Sequence, residues 1–147
     1  MKPITLIDKA FLLKRSPLFG SLDLDLLLTI ADKLNTATFD PNDVIFTHNE
    51  EANRMYFIVK GKVIIRSDNA EVINFLNEGD FFGEESLFNN KPRSYEAACL
   101  ENTKLLTLSR TNLYTIISEC PSVAVGFLQV YTSSMEFRPF KQQETEK

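Results

Sequence analysis

Histidine and cysteine are scarce in this sequence, and their scarcity excludes several kinds of active site. The 147 residues contain one histidine, His48, and two cysteines, Cys99 and Cys120. Metal sites draw on histidine, cysteine and carboxylate ligands at characteristic spacings, and a serine or cysteine nucleophile usually needs a histidine as its base. The single histidine and the widely separated cysteines fit neither pattern. We therefore expect no metal, no cofactor and no enzyme activity, and we interpret both cysteines as free thiols.

Basic residues are in the minority, and long apolar runs are lacking. Lysine and arginine number 16 against 20 acidic residues, which gives a net charge of −4 and a pI of about 5.1. Nucleic-acid-binding domains usually show a basic face, so we expect no direct nucleic acid binding. No apolar run approaches the about 20 residues of a membrane-spanning helix, and Lys9, Lys14 and Arg15 interrupt any signal-peptide core. The sequence thus predicts a cytoplasmic protein without a membrane span.

Length and composition indicate one globular domain. Hydrophobic residues make up 44% of the chain and charged residues 24%, and 147 residues can enclose a core of useful size. We expect a single domain over residues 1–138, with a helical lead-in at 4–34, a β-roll at 36–108, C-terminal helices at 109–138 and a flexible tail at 139–147.

Apolar residues at helical spacing predict helices at both ends of the chain. Pro17 ends the first helix, because the residue before a proline avoids helical geometry. Ser21 and Ser122 are candidate N-caps for the second and the last helix. The predicted helices cover residues 4–15, 22–34, 109–119 and 123–136.

The middle of the chain alternates short strand-like runs with turns. Met55–Val59 is the strongest strand, and Asp40–Asp43 and Ser67–Ala70 are typical turns. About eight short strands at regular spacing predict an antiparallel sandwich or jelly roll. The expected fold is therefore α+β, mainly β: an eight-stranded antiparallel jelly-roll β-barrel flanked by N-terminal and C-terminal helices.

The residues between the two strand-rich regions suggest an anion site. Gly83 lets the backbone approach a partner closely, and the short helical turn that begins at Glu84 starts with unpaired N–H groups. Arg93 follows a break in that turn and offers a planar fork that suits a phosphate. A carboxylate at Glu84 would repel a phosphate unless it had a donor of its own, and a sugar hydroxyl is such a donor. A phosphate and a hydroxyl on one small ligand indicate a nucleotide.

The order Phe82-Gly83-Glu84, Leu87 and Pro92-Arg93-Ser94 resembles the phosphate-binding cassette of the cyclic-nucleotide-binding domain family. Met55–Ile58, followed by a glycine and a valine, is similar to a second signature of that family. Its members include the bacterial catabolite activator, kinase regulatory subunits and gated channels. The resemblance implies that Glu84 holds the ribose 2′-hydroxyl and that Arg93 pairs with the cyclic phosphate. The ligand-binding set expected from it is Phe82, Gly83, Glu84, Glu85, Ser86, Arg93 and Ser94.

The resemblance also implies a role for the last helix. In the family this helix moves over the ligand and covers its base, so that Phe127 would line the base pocket and Tyr131 would stack on a purine, although an apolar stripe at helical spacing is usually core. The expected partners are a cyclic purine nucleotide, cAMP more than cGMP, and an unidentified effector protein. A homodimer through the C-terminal helix is also plausible. Because the sequence ends soon after that helix, we expect a stand-alone regulatory module in signalling.

Several residues depart from the family pattern. Glu85 replaces an aliphatic residue, and Tyr95-Glu96 replaces small or β-branched residues. These extra acids near the phosphate favour an alternative hypothesis, in which a degenerate domain acts as a ligand-independent protein interaction module. A small jelly-roll enzyme of the cupin type is disfavoured, because it would need several metal-binding histidines.

Glycines usual in the family are also replaced, by Asn42, Asn49 and Ala52. Asparagine tolerates left-handed backbone better than other non-glycine residues, so we expect the first two replacements to keep their loops. The same argument does not explain Ala52.

Overall fold

The computed structural model of the chain describes residues 3–139. Residues 140–147, which make up most of the predicted tail, lie outside the described residues. The elements in chain order are α1 Leu6–Lys14, α2 Leu24–Ala31, β1 Asn35–Phe39, β2 Val44–Phe46, β3 Arg54–Lys60, β4 Val63–Arg66, β5 Val72–Leu76, β6 Phe81–Phe82, α3 Glu85–Asn89, β7 Glu96–Cys99, β8 Thr103–Ser109, α4 Arg110–Glu119 and α5 Ser122–Thr132.

The strands form two antiparallel sheets. Each sheet has four strands, in the orders β1-β8-β3-β6 and β2-β7-β4-β5. The expected sandwich of jelly-roll type is confirmed, together with the flanking helices. The expected closed barrel is wrong, because within residues 3–139 the strand pairing leaves two separate four-stranded sheets.

Strand β3 shows why the sheets pack face to face. Successive side chains of a strand point to opposite faces. Met55 and Phe57 lie in a core shared with the helices, whereas Tyr56 and Ile58 lie in a second core between the two sheets. The sheet that contains β3 and β8 is therefore covered on both faces, which explains the unbroken apolar run of β3.

The helix ends differ in detail from the expected ones. The N-cap of α2 is Asp23, whose Oδ1 accepts from Leu26 N–H at 2.9 Å, and not Ser21. Ser122 is already the first residue of α5 rather than its cap. That helix ends at Thr132, before the expected residue 136. The Thr132 hydroxyl donates to the Leu128 carbonyl oxygen at 2.7 Å, and such bonds compete with helix continuation.

A glycine fixes the position of α5. A Cβ atom on Gly126 would lie 3.2 Å from both the Cα and the carbonyl oxygen of Leu18. The helix can therefore rest directly on the backbone of the turn after α1, and the adjacent Phe127 is buried. Among residues 3–139, no single helix is long and apolar enough to cross a membrane, and α4 and α5 reach that length only as a pair bent by 108°.

The glycine replacements behave largely as expected. Asn42 and Asn49 both have left-handed backbone, with φ of 73° and 71°, so these two replacements keep their turns. Ala52 is not among the residues with positive φ and is buried in the core with 4% exposure. No glycine is needed there, which explains why the left-handed argument does not apply to it.

Candidate functional site

A sharp turn brings residue 83 against residue 93. The chain leaves β6 and turns at Gly83 with φ of 85°, a conformation that favours glycine. A Cβ atom there would lie 3.1 Å from Arg93 Nη1 and 3.3 Å from the Tyr56 ring. After α3, Asn90 adopts left-handed backbone with φ of 64° and turns the chain back towards Arg93. Glycine at position 83 is thus required by both conformation and space.

Arg93 is a buried cation with one donor left over. Its side chain is 3% exposed. Nη1 donates to the Gly83 carbonyl oxygen, Nη2 donates to the Arg54 carbonyl oxygen at 2.6 Å, and the guanidinium carbon lies 4.0 Å from the centre of the Phe46 ring. Nε is buried and has no hydrogen-bond partner among residues 3–139. Burial lowers the pKa of Arg93, because removal from water penalises the charged form.

Glu84 is a buried acid with one acceptor left over. Its side chain is 3% exposed. Oε2 accepts from the Tyr131 hydroxyl at 2.8 Å, while Oε1 is buried without a partner in the described part of the chain. Burial, followed by the charge of Glu85, raises the pKa of Glu84 to about 7. Buried polar atoms are normally hydrogen-bonded, so this oxygen is suited to accept a hydrogen bond from a ligand and Arg93 Nε is suited to donate one.

The two departures beside the cassette are bonded within the protein. The Tyr95 hydroxyl donates to Glu85 Oε1 at 2.7 Å and accepts from the Gly83 N–H at 2.9 Å. Glu96 forms an ion pair with Arg66 at 2.6 Å. Strands β4 and β7 place Arg66 directly opposite Glu96, a register that the sequence alone does not reveal.

Of the remaining expected site residues, Phe82 and Ser86 are buried and Ser94 is exposed. Ser86 is buried, and its hydroxyl donates to the Pro92 carbonyl oxygen at 3.3 Å, whereas Ser94 is exposed. The Phe82 ring is buried and stacks on Tyr56 with 5.1 Å between ring centres. The Phe82 ring fills the core between the sheets, so only the backbone of Phe82 borders the turn, and its place in the ligand-binding set stays a prediction.

Residues from α4 and α5 hold the cassette, and sequence reasoning missed their contacts. Arg110 Nη2 donates to the Ser86 carbonyl oxygen at 3.0 Å, and the Tyr114 hydroxyl donates to the Leu87 carbonyl oxygen at 2.8 Å. Tyr131, for which the resemblance implied stacking on a purine, bonds Glu84 through its hydroxyl. The feature of the sequence that could have indicated this contact is the hydroxyl of Tyr131, a polar group on the otherwise apolar stripe of α5.

The resemblance implied that Phe127 lines a base pocket, whereas the apolar stripe favoured the core, and Phe127 lies in the core. Its ring is 3% exposed and lies 5.6 Å from Phe81 and 5.1 Å from Phe88, measured between ring centres. Both contacts are edge-on, an arrangement that aromatic rings favour. Phe127 thus anchors α5 to β6 and α3.

A cavity opens beside Glu84. Its volume is about 380 Å³, within the range of small-molecule pockets. Strand β5 and α5 form opposite sides of it, and its lining includes Asn74, Phe75, Leu76, Asp80, Glu84, Val130 and Tyr131. A larger cavity of about 520 Å³ lies under α1, remote from this chemistry. Residues 3–139 hold no group of three or more side chains suited to bind a metal ion.

Comparisons with known proteins relate this arrangement to one family. The family model described as cyclic nucleotide-binding domain matches residues 36–120. A cAMP-dependent protein kinase regulatory subunit of Debaryomyces hansenii is 32% identical over 56% of this chain and 18% of its own length. A cyclic nucleotide-gated potassium channel of Mesorhizobium japonicum is 32% identical over 76% of this chain and 30% of its own length. The chain therefore spans less than a third of either protein.

A solved structure supports the same relationship. The catabolite activator protein of Thermus thermophilus superposes with a TM-score of 0.74, at 26% identity, over 80% of this chain and 57% of that one. The three relatives are a kinase subunit, a channel and an activator, so the effector differs from protein to protein.

Replacement of Glu84 by glutamine should change how stability depends on pH. The pKa of Glu84 is about 7 in the folded chain and 4.5 for an ordinary carboxyl, so the folded chain binds more protons between these pH values. Stability of the wild-type chain therefore falls as pH rises through that window. Glu84→Gln stays neutral and should be more stable above pH 7 by about 1–3 kcal/mol, with the difference vanishing towards pH 4.5.

Urea unfolding across this pH range measures the difference. Glu119→Gln, which removes one exposed carboxylate at the end of α4, is the control and should show no such trend. A Glu84→Gln chain that is less stable than wild type above pH 7 would contradict the account.

Proposed function

The chain belongs to the cyclic nucleotide-binding domain family, and we propose that it is a regulatory module whose ligand is a cyclic purine nucleotide, cAMP rather than cGMP. The observation that carries the proposal is the pair of buried, incompletely bonded charged groups, Glu84 and Arg93, on either side of Gly83. The name of the kinase relative supports cAMP as the nucleotide. The proposed role is regulatory, not catalytic.

Each group of the ligand has a proposed partner. Arg93 exchanges its bonds to the Gly83 and Arg54 carbonyl oxygens for phosphate oxygens, for which its fork is suited. Glu84 accepts from the ribose hydroxyl, and the base enters the cavity between β5 and α5. Phe82, Gly83, Ser86 and the exposed Ser94 border the proposed site, with Glu85 at its edge.

The alternative, a degenerate domain that binds only proteins, is less well supported. Its motivation was the extra acids near the phosphate, but Glu85 is bonded to Tyr95 and Glu96 is paired with Arg66. A buried charge with unmade hydrogen bonds costs stability. A domain without a ligand would have no reason to keep this cost at both Glu84 and Arg93.

The contact between Tyr131 and Glu84 suggests how binding reaches α5. Tyr131 donates to Oε2 of the carboxylate whose free Oε1 the ribose hydroxyl would bind, and Tyr131 also lines the cavity that the base would enter. A ligand shifts a conformational equilibrium only by its difference in affinity for the two states. We propose that the nucleotide displaces Tyr131 and repositions α5, which then signals to an effector protein. Val125 and Leu128, which are 50% and 61% exposed, make this helix suitable for that partner or for a homodimer.

Loss of Arg93 should abolish most of the nucleotide affinity. Arg93→Ala is expected to weaken binding of cAMP by about 2–5 kcal/mol, or roughly thirty- to several-thousand-fold, since the buried phosphate would lose its counter-charge. Arg93 also donates to two carbonyl oxygens, so Arg93→Ala removes contacts within the protein as well as the charge. Arg93→Lys, which keeps the charge, is therefore the second variant, and its affinity for cAMP should fall between those of Arg93→Ala and the wild-type chain. Isothermal titration calorimetry measures both.

The matched control is Lys91→Ala, which removes a positive charge from an exposed residue of the same loop. It should bind cAMP as the wild-type chain does. Unchanged affinity in Arg93→Ala would sink the assignment of Arg93 to the phosphate.

Removal of the Tyr131 hydroxyl should tighten nucleotide binding. Tyr131→Phe lacks the hydrogen bond to Glu84 that holds Tyr131 at the cavity proposed for the base, and such a bond contributes about 0.5–1.5 kcal/mol, or roughly two- to tenfold in Kd. Hydrogen exchange of residues 122–132 should also respond less to nucleotide than in the wild-type chain. Tyr114→Phe is the control, because it removes a tyrosine hydroxyl that bonds the cassette backbone and not Glu84. Weaker binding by Tyr131→Phe alone would show that this hydroxyl contacts the ligand.

A further inference from the structure

A carboxylate is held beside the proposed phosphate position. Glu85 is exposed, yet its Oε1 accepts from the Tyr95 hydroxyl at 2.7 Å, and that hydroxyl also accepts from the Gly83 N–H at 2.9 Å. The Tyr95 ring lies 5.4 Å from Phe46, which packs against the Arg93 guanidinium. Tyr95 is thus fixed by the core, and it keeps the Glu85 carboxylate close to Gly83 and Arg93.

The charge of Glu85 reaches both charged groups of the site. It is the second cause, after burial, of the raised pKa of Glu84, and, after Tyr56 and Tyr95, it opposes the burial effect on the pKa of Arg93. Glu50 also acts on Arg93, with a smaller effect than Glu85. A phosphate bound at Arg93 would therefore lie within range of a fixed negative charge, and the repulsion would grow with the charge of the phosphate.

Phosphate esters differ in that charge. A monoester carries about −1.5 to −2 at neutral pH, because its second pKa is near 6. A cyclic diester has no second ionisable oxygen and carries a single negative charge. A fixed carboxylate opposes the monoester more strongly, and a device that penalises the wrong ligand is a common source of specificity. Tyr95 adds to the effect, because it occupies the Gly83 N–H that could otherwise stabilise an additional negative oxygen.

We infer that Glu85 and Tyr95 determine specificity: they admit a cyclic phosphodiester and reject the 5′-monophosphate of the same nucleoside. Glu85 supplies the repelling charge, and Tyr95 is a positioning residue that holds it in place. The inference rests on the proposed function, since it takes Arg93 as the phosphate partner. It also gives a role to Glu85 and Tyr95, which both depart from the family pattern and contact each other.

The test is competition against a fluorescent cyclic nucleotide, with cAMP and 5′-AMP as competitors. Glu85→Gln removes the charge and keeps an acceptor for the Tyr95 hydroxyl. It should lower the ratio of the Kd for 5′-AMP to the Kd for cAMP about tenfold. Tyr95→Phe should lower the ratio in the same direction by a smaller factor. Glu119→Gln, which removes a carboxylate at the far end of α4, should leave the ratio unchanged.

A merely structural role for these residues would change both Kd values together and leave their ratio constant. Salt supplies a second readout, because raised ionic strength should reduce the discrimination of the wild-type chain and not that of Glu85→Gln. If the wild-type chain binds cAMP and the ratio is the same in Glu85→Gln, the inference is overturned and the proposed function stands. If neither cAMP nor cGMP binds the wild-type chain, the proposed function fails and the inference fails with it.

Discussion

The arrangement of the candidate site depends on the burial of one guanidinium group. Arg93 lies against the face of Phe46 at 4.0 Å and donates to the carbonyl oxygens of Gly83 and Arg54. These contacts offset only part of the cost of removing the charge from water, since Nε remains unbonded among the described residues. The left-handed backbone of Gly83 favours glycine, and a Cβ atom there would lie only 3.1 Å from Arg93 Nη1, while Asn49 donates its N–H to the Arg93 carbonyl oxygen at 2.7 Å. A ligand phosphate would complete what the protein leaves incomplete.

The same cassette is attached to both C-terminal helices. Ser86 and Leu87 present their carbonyl oxygens to donors from α4, and Glu84 accepts from Tyr131 of α5. A change at the phosphate or ribose position would therefore act on these helices through direct hydrogen bonds. The contact of Phe127 with Phe88 and the close approach at Gly126 hold the middle of α5 in place. This distribution favours movement of the far end of α5 over movement of the whole helix.

The sequence predicted the parts of the site that are local. Gly83, Glu84 and Arg93 lie in one short segment whose residue types have few other uses together, and the helices and strands follow from periodicity. The contact between Tyr131 and Glu84 joins residues 47 positions apart, and no local pattern contains it. The sequence alone did not place the rings of Phe82 and Phe127, because an aromatic residue suits a core and a ligand pocket equally well, and both rings lie in a core. The barrel was wrong because strand spacing does not reveal which strands pair, and the described strands pair as two separate four-stranded sheets.

The most direct test is thermal unfolding of the wild-type chain with increasing cAMP or cGMP, and with adenosine as a control that lacks the phosphate. A ligand that binds only the folded state adds about 2.7 kcal/mol at about 100 times its Kd. For a chain of this size that is a rise in Tm on the order of 5–10 °C. The account predicts this rise with at least one cyclic nucleotide and none with adenosine. No rise with either cyclic nucleotide at millimolar concentration would contradict it.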